Sequence, residues 1–220
     1  MTNREFDRKT AVVTGACGAV GAEVVAALAW RGAAVTAVDR DGRALCDLVE
    51  GLRSSGLPVA GRQVDITSAC AVEALVDQVE REVGPIDIVV NAADLVRAGS
   101  AVDLVVDDWL ACFAVNAHSV FYMSRAAAAR MVVRRRGAIV TVACAPGSSA
   151  GQAAYAAAKA AAAAYMRELG AEVAGDGVRC AVVVPTAPVL RSVDDHDSAV
   201  VSQVLAALAA HADGGTAVGA

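Results

Sequence analysis

TGACGAVG, residues 14–21, follows the apolar run TAVVT (10–14) and leads straight into an alanine- and valine-rich helical pattern. Gly15, Gly18 and Gly21 recur at three-residue steps. Glycine permits a sharp turn and a close approach of backbone to a pyrophosphate. The helix that follows presents unpaired N–H groups and the positive end of its dipole. A glycine trio alone also serves turns and tight helix–strand packing. The strand–loop–helix setting is what points to a phosphate loop, with Cys17 and Val20 lying between the glycines.

Outward from this loop, short β-rich runs alternate with helical patterns. Strands are predicted at 10–14, 33–39, 58–65, 86–92, 137–143 and 177–185. Helices are predicted at about 19–31, 41–54, 68–84, 106–133, 152–174 and 198–211. Continuous apolar strands imply burial on both faces, and strand–helix alternation implies right-handed βαβ units. The expected fold is α/β, a Rossmann-type doubly wound parallel sheet. One domain is expected over residues 1–220, with 187–220 forming a shortened C-terminal segment.

Hydrophobic residues make up 56% of the chain but aromatics only 4%, so Ala, Val and Leu must fill the core by close packing. The net charge of -5 argues against nucleic acid as a partner. Arg134, Arg135 and Arg136 form the one basic run and suit a helix C-terminus. Apolar runs are broken before a membrane-spanning length, and no signal peptide is evident. The cysteines at 17, 46, 70, 112, 144 and 180 make no metal-ligand spacing, and the histidines at 118, 196 and 211 are scattered. The expectation is a reduced, cytoplasmic protein with no metal site.

Asp39 closes the second strand, eighteen residues after Gly21. A carboxylate there accepts from adenosine ribose hydroxyls and repels a 2′-phosphate, which favours NAD over NADP. Arg40 beside it partly offsets that charge. A turn or helix-capping role for Asp39 is the competing reading.

YAAAK (155–159) places Tyr155 and Lys159 on one helical face. A free tyrosine titrates near ~10, so it is a poor base at neutral pH. A nearby ammonium favours the phenolate. The pair then exchanges a proton with a substrate hydroxyl. Spacing alone also fits two polar residues on an alanine-rich helix.

TGACGAVG, Asp39, VDI (64–66), NAA (91–93), VNAH (115–118) and YAAAK together resemble short-chain dehydrogenases/reductases, over residues 9 to about 186. DDWLACFAVN (107–116), RRRGAIVTVA (134–143), GVRC (177–180) and DGGTAVGA (213–220) carry a closer likeness to the 2,3-dihydro-2,3-dihydroxybenzoate dehydrogenases of catechol-siderophore pathways. The resemblance implies that Asp65 and Ile66 flank the adenine, while Asn91, Ala92 and Ala93 line the cofactor cleft. It implies that Asn116 kinks the long helix and holds a relay water. It makes Tyr155 the acid/base, Lys159 the ligand of the nicotinamide ribose, and Pro185 part of the cofactor site. It also implies a homo-oligomer, dimer or tetramer, joined through helices 106–133 and 152–174.

The chain departs from the family at several points. Cys144 stands where the family places an oxygen-binding serine. It either donates a weaker bond or is simply packed, and Ser148 or Ser149 is the alternative donor. Asp94 replaces a glycine after NAA, where a carboxylate either helps a cationic ring or obstructs the cleft. Thr186 and Leu190 replace a glycine and a threonine. Arg97, past the fourth strand, is either a partner for a substrate carboxylate or an exposed loop residue. A dihydro-dihydroxybenzoate-like ring acid fits Arg97, and its oxidation yields an aromatic product. The rival readings are a same-fold enzyme turned to non-redox chemistry and a non-catalytic cofactor-binding subunit.

Overall fold

The computed structural model describes residues 4–143, 151–184 and 198–209. Among the described residues, six strands form one parallel sheet: β1 (Thr10–Thr14), β2 (Ala34–Asp39), β3 (Val59–Gln63), β4 (Ile86–Asn91), β5 (Gly137–Val142) and β6 (Val178–Val183). Their order is β3-β2-β1-β4-β5-β6, with every neighbouring pair parallel. This is the doubly wound order, which reverses between β1 and β4 and opens a crevice at their carboxyl ends.

Two apolar layers hold the helices to the sheet. On one face pack α1 (Ala19–Trp30), α2 (Gly42–Ser54) and α7 (Ala199–Ala209), against Ala11, Val13, Val35, Ala37, Val90 and Val140. On the other pack α3 (Ala69–Glu82), α5 (Ser119–Arg134) and α6 (Ala153–Val173), against Val12, Val38, Val89 and Ile139. Alternation along each strand sends successive side chains to opposite layers. β4 keeps this pattern only through a bulge. Thr10 pairs with Ile86 while Ala11 pairs with Ile88, leaving Asp87 as the extra residue. The Asp87 carboxylate accepts from the Thr10 N–H at 3.2 Å and pairs with Arg136 at 2.8 Å, so the bulge leaves no buried donor unmet there.

The sequence sets the starts of two helices locally. Asp41 caps α2 by accepting from the Arg43 and Ala44 N–H groups, and Ser68 caps α3 by accepting from Ala71. The helix expected over 106–133 is divided: α4 (Val106–Phe113) and α5 are joined by a π-turn at Ala114–His118. α7 lies along α1 and is held at its C-terminus by Arg179 of β6. That guanidinium donates to the Ala207 and Leu208 carbonyls, both at 3.1 Å. Burial pulls the Arg179 pKa down to about 10, which still leaves it charged at neutral pH.

Candidate active site

The site lies at the carboxyl ends of β1, β4 and β5, and the glycine loop forms its floor. Gly15 sits at φ +65, with the Ala93 backbone where a Cβ would stand. A Cβ on Gly21 would overlap the Gly15 carbonyl. The loop is tied down by Ala16 N–H to Val38 O at 3.1 Å and by Gly18 N–H to Gly15 O at 3.0 Å. Gly18 precedes α1 with no side-chain cap, and no acidic residue stands in the first turn. The first N–H groups of α1 therefore have neither an intrahelical partner nor an opposing charge. That end suits a diphosphate in charge and in donor chemistry. The bare loop backbone admits the close approach that a dinucleotide needs, so the residues present fit that cofactor.

Asp39 does more than end β2. Its Oδ2 accepts from the Cys17 N–H at 2.9 Å and its Oδ1 from the Asp41 N–H at 3.1 Å. The carboxylate thereby fixes the middle of the glycine loop and the entry to α2 together. Cys17 feels this directly. Burial first, then the Asp39 charge and hydrogen bond, push its thiol from 9.0 to about 11. Val20 packs on the core beneath the loop.

At the next strand end, Asp65 Oδ1 accepts from the Thr67 hydroxyl at 2.7 Å and the Thr67 N–H at 2.9 Å. Those bonds, with a smaller contribution from the Arg40 guanidinium, hold the Asp65 carboxyl below its usual range. Arg40 is exposed, and its charge acts on Asp65 across the gap between the β2 and β3 ends. Ile66 packs against the α3 layer.

Asn91 turns inward rather than toward the cleft. Its Nδ2 donates to Ser124 Oγ at 3.0 Å and Thr141 Oγ1 at 3.1 Å, joining β4, α5 and β5. The cleft wall at this point is therefore backbone: Ala92 N–H donates to Thr14 O at 3.2 Å, and the Ala93 carbonyl faces Lys159.

Tyr155 and Lys159 lie on the first turns of α6, with Lys159 Nζ 5.7 Å from the Tyr155 ring centre. Lys159 is only 4% exposed. Its ammonium donates to Ala93 O at 3.1 Å and Val142 O at 3.3 Å, and pairs with Asp94 Oδ1 at 2.9 Å. Asn116 sits in the π-turn, fully buried, and spends its side chain on the loop after β4. Its Nδ2 donates to Leu95 O and Cys112 O, and its Oδ1 accepts from the Leu95 N–H. A relay water at this position therefore has to meet backbone rather than the Asn116 amide donors. The Gly99 N–H donates to Gly151 O at 2.8 Å, linking the loop after β4 to the start of α6.

Arg97 pairs with Asp108 of α4 at 3.2 Å, and both side chains are over two-fifths exposed. Cys144, Ser148, Ser149, Pro185, Thr186 and Leu190 lie outside the described residues. The contacts missing from the sequence reading are Asp94 on Lys159 and Leu95 on Asn116. Only the odd Asp94 in place of glycine pointed toward the first. Among the described residues no cluster of His, Cys, Asp or Glu is arranged to hold a metal, and no helix is long and apolar enough to cross a membrane.

The fold and this cleft define a Rossmann-type α/β protein with a tyrosine–lysine pair at the carboxyl edge of its sheet. The model of the short chain dehydrogenase family matches residues 9–191, and the chain belongs to that family. It is 37% identical over 131 residues to the 2,3-dihydro-2,3-dihydroxybenzoate dehydrogenase of Bacillus subtilis (strain 168), covering 60% of this chain and 50% of the relative. It is 36% identical over 126 residues to the D-threitol dehydrogenase of Mycolicibacterium smegmatis, covering 57% and 48%. The chain spans about half the length of these curated relatives. Among solved structures, a metagenomic short-chain oxidoreductase in complex with NADP superposes with a TM-score of 0.85 at 27% identity, covering 96% of this chain and 95% of that one. An NAD+-bound xylitol dehydrogenase superposes with a TM-score of 0.78 at 28% identity, covering 82% and 70%.

Proposed function

We propose that the protein is a nicotinamide-dependent oxidoreductase acting on a ring carbinol or the corresponding ketone, with NAD as the preferred cofactor. The observation that carries this reading is the buried Lys159 ammonium beside the Tyr155 ring at the crevice mouth. Packing alone has no use for a buried ammonium beside a phenol. Asp39, held by two backbone N–H groups at the end of β2, supports NAD because its fixed negative charge disfavours a 2′-phosphate.

The chain's own residues supply proton traffic and position. The glycine loop and the α1 N-terminus hold the diphosphate. Lys159 steadies the phenolate form of Tyr155, whose oxygen takes the proton of the substrate hydroxyl. A bound nicotinamide contributes hydride acceptance. Asn116, by gripping Leu95, fixes the loop that borders the reacting centre.

For the substrate we propose a cyclic hydroxy acid of the dihydro-dihydroxybenzoate kind, within secondary metabolism. Arg97 would receive its carboxylate by exchanging partners with Asp108, since both are open to solvent. The likeness to the Bacillus subtilis relative supports the same class. We place the protein in the cytoplasm, a setting that suits the free thiols at 17, 46, 70, 112 and 180.

We also propose a homo-oligomer. Trp109 and Leu110 of α4 and Phe121 of α5 are exposed, and Ala160, Ala161 and Ala164 give α6 a smooth exposed side. Small residues let helices approach closely. Phe121→Glu should then shift the mass seen by light scattering toward the single chain, and an unchanged mass sinks the interface.

The decisive experiment follows nicotinamide absorbance with purified protein, NAD+ and a panel of cyclic diols, hydroxy acids and ketones. Tyr155→Phe should bind NAD+ normally and lose turnover by about a hundredfold or more. Undiminished turnover in that variant, or no NAD+ binding by the unaltered protein, overturns the reading.

A further inference from the structure

An ammonium carries three protons to donate. In Lys159 all are placed: on Ala93 O, on Val142 O and on Asp94 Oδ1. Two of these acceptors are rigid. Val142 belongs to β5, and Ala93 follows β4 with its backbone pressed against Gly15. The third is not. The Asp94 side chain is 48% exposed, and among the described residues Lys159 is its one polar partner. Of the three bonds, the one to Asp94 is the one that can be given up.

We propose that Asp94 is a built-in competitor for the cofactor. Its carboxylate occupies the third donor of Lys159, and a dinucleotide engages Lys159 through its nicotinamide ribose only by turning Asp94 aside. The inference rests on the reading of Lys159 as a cofactor ligand. It differs from that reading in assigning a cost to cofactor entry that comes from this chain's own side chain.

The pair has a purpose of its own. A buried ammonium with only carbonyl dipoles around it is poorly compensated, and Asp94 supplies the counter-charge from the solvent side. The ribose hydroxyls replace a hydrogen bond but not a charge. Cofactor binding is therefore weaker than the loop and the α1 N-terminus would otherwise permit. Removing the carboxylate transfers the third donor to the ligand.

The test compares two probes on the full chain by isothermal titration at roughly physiological ionic strength, where distant charges are screened. NADH carries the nicotinamide ribose and a neutral ring. ADP carries the adenosine and diphosphate but no second ribose. Asp94→Ala should bind NADH about fivefold more tightly than the unaltered protein, the shift expected when a pair worth roughly 1 kcal/mol is removed. Its affinity for ADP should stay within about twofold. Asp94→Asn, which keeps the shape and loses the charge, should fall between and guards against misfolding in the alanine variant. The rise in melting temperature on adding NADH should also be larger in both variants. Unchanged or weakened NADH binding in both variants overturns the proposal. So does an equal tightening for ADP, which would make Asp94 a general repulsive charge at the mouth. If the unaltered protein binds ADP and NADH equally well, the nicotinamide ribose gains nothing from Lys159 and the proposal fails while the phosphate loop stands. If it binds neither, the cofactor reading falls and this inference with it.

Discussion

Asn116 holds both backbone groups of Leu95, its Oδ1 accepting from the Leu95 N–H at 3.1 Å and its Nδ2 donating to the Leu95 carbonyl at 2.7 Å. A side chain on a helix thus imitates a strand partner for the loop that leaves β4. The π-turn at Ala114–His118 is what brings the amide round to that edge. Asn116→Ala would leave a half-buried N–H and carbonyl unmet. We expect a loss of about 1–3 kcal/mol in denaturant unfolding, together with a fall in turnover. Asn116→Asp keeps the bond from Leu95 N–H but turns a donor toward the Leu95 carbonyl into an acceptor, and it should be at least as damaging. If either variant unfolds at the same denaturant concentration as the unaltered protein, Asn116 does not hold the loop.

Two glycines separate the demands of the loop from those of a helix. Gly15 has a positive φ and the Ala93 backbone against it, so Gly15→Ala must move β4 or the loop. Gly51 lies inside α2, and nothing stands within 4 Å of an added Cβ. Gly15→Ala should abolish dinucleotide binding and lower stability. Gly51→Ala should raise stability by roughly 0.5–1 kcal/mol and leave binding unchanged. Thermal unfolding with and without NAD+ reads both effects. A Gly15→Ala protein that still gains stability from NAD+ would show that the loop backbone is not where the diphosphate sits.

The order of strands and helices is legible along the chain because each element carries its own period and punctuation. Asp41 and Ser68 cap the helices they precede, and apolar strands such as Ile86–Asn91 are buried along their whole length. The break between α4 and α5 is not legible in that way. The run from Val106 to Arg134 stays helical in composition, and the π-turn sits where Asn116 reaches the backbone groups of Leu95, 21 residues away in sequence. Asn91 shows the same limit. Its identity marks a polar position at a strand end, but only the packed structure shows that Ser124 and Thr141 draw the amide inward. Tyr155 and Lys159 could be paired from their four-residue spacing. The third member, Asp94, arrives from sixty-five residues before Lys159 across the sheet, and the sequence marks it only as a carboxylate in place of a glycine, with nothing to pair it with Lys159.

Asp39 should govern which cofactor is taken. Asp39→Ser removes the negative charge at the β2 end and the acceptor for the Cys17 N–H. NAD+ binding should weaken as the loop loosens. The preference for NAD+ over NADP+ should fall by about tenfold or more, since a like-charge contact with the 2′-phosphate is relieved. The measurement is the ratio of dissociation constants for the two cofactors. If that ratio is the same in the variant, Asp39 serves the loop and the α2 entry alone.

Cys17 offers a reading of the same carboxylate through pH. Burial and Asp39 raise its thiol from 9.0 to about 11, so the folded protein keeps the proton that an unfolded chain would release. Below pH 9 both states hold the proton, and Cys17 adds no pH dependence. Between pH 9 and about 11 the unfolded state ionises first, so stability falls as pH rises through that window. The reactive species is the thiolate. At neutral pH, iodoacetamide should therefore label the exposed Cys70 well before Cys17, as read by peptide mass mapping. Labelling of Cys17 should climb only as pH approaches 11. Asp39→Asn removes the charge and leaves the burial, so its labelling profile should move to lower pH without reaching that of an exposed thiol. Cys17 labelling as fast as Cys70 at neutral pH would mean that the loop does not shelter the thiol and that Asp39 does not sit against it.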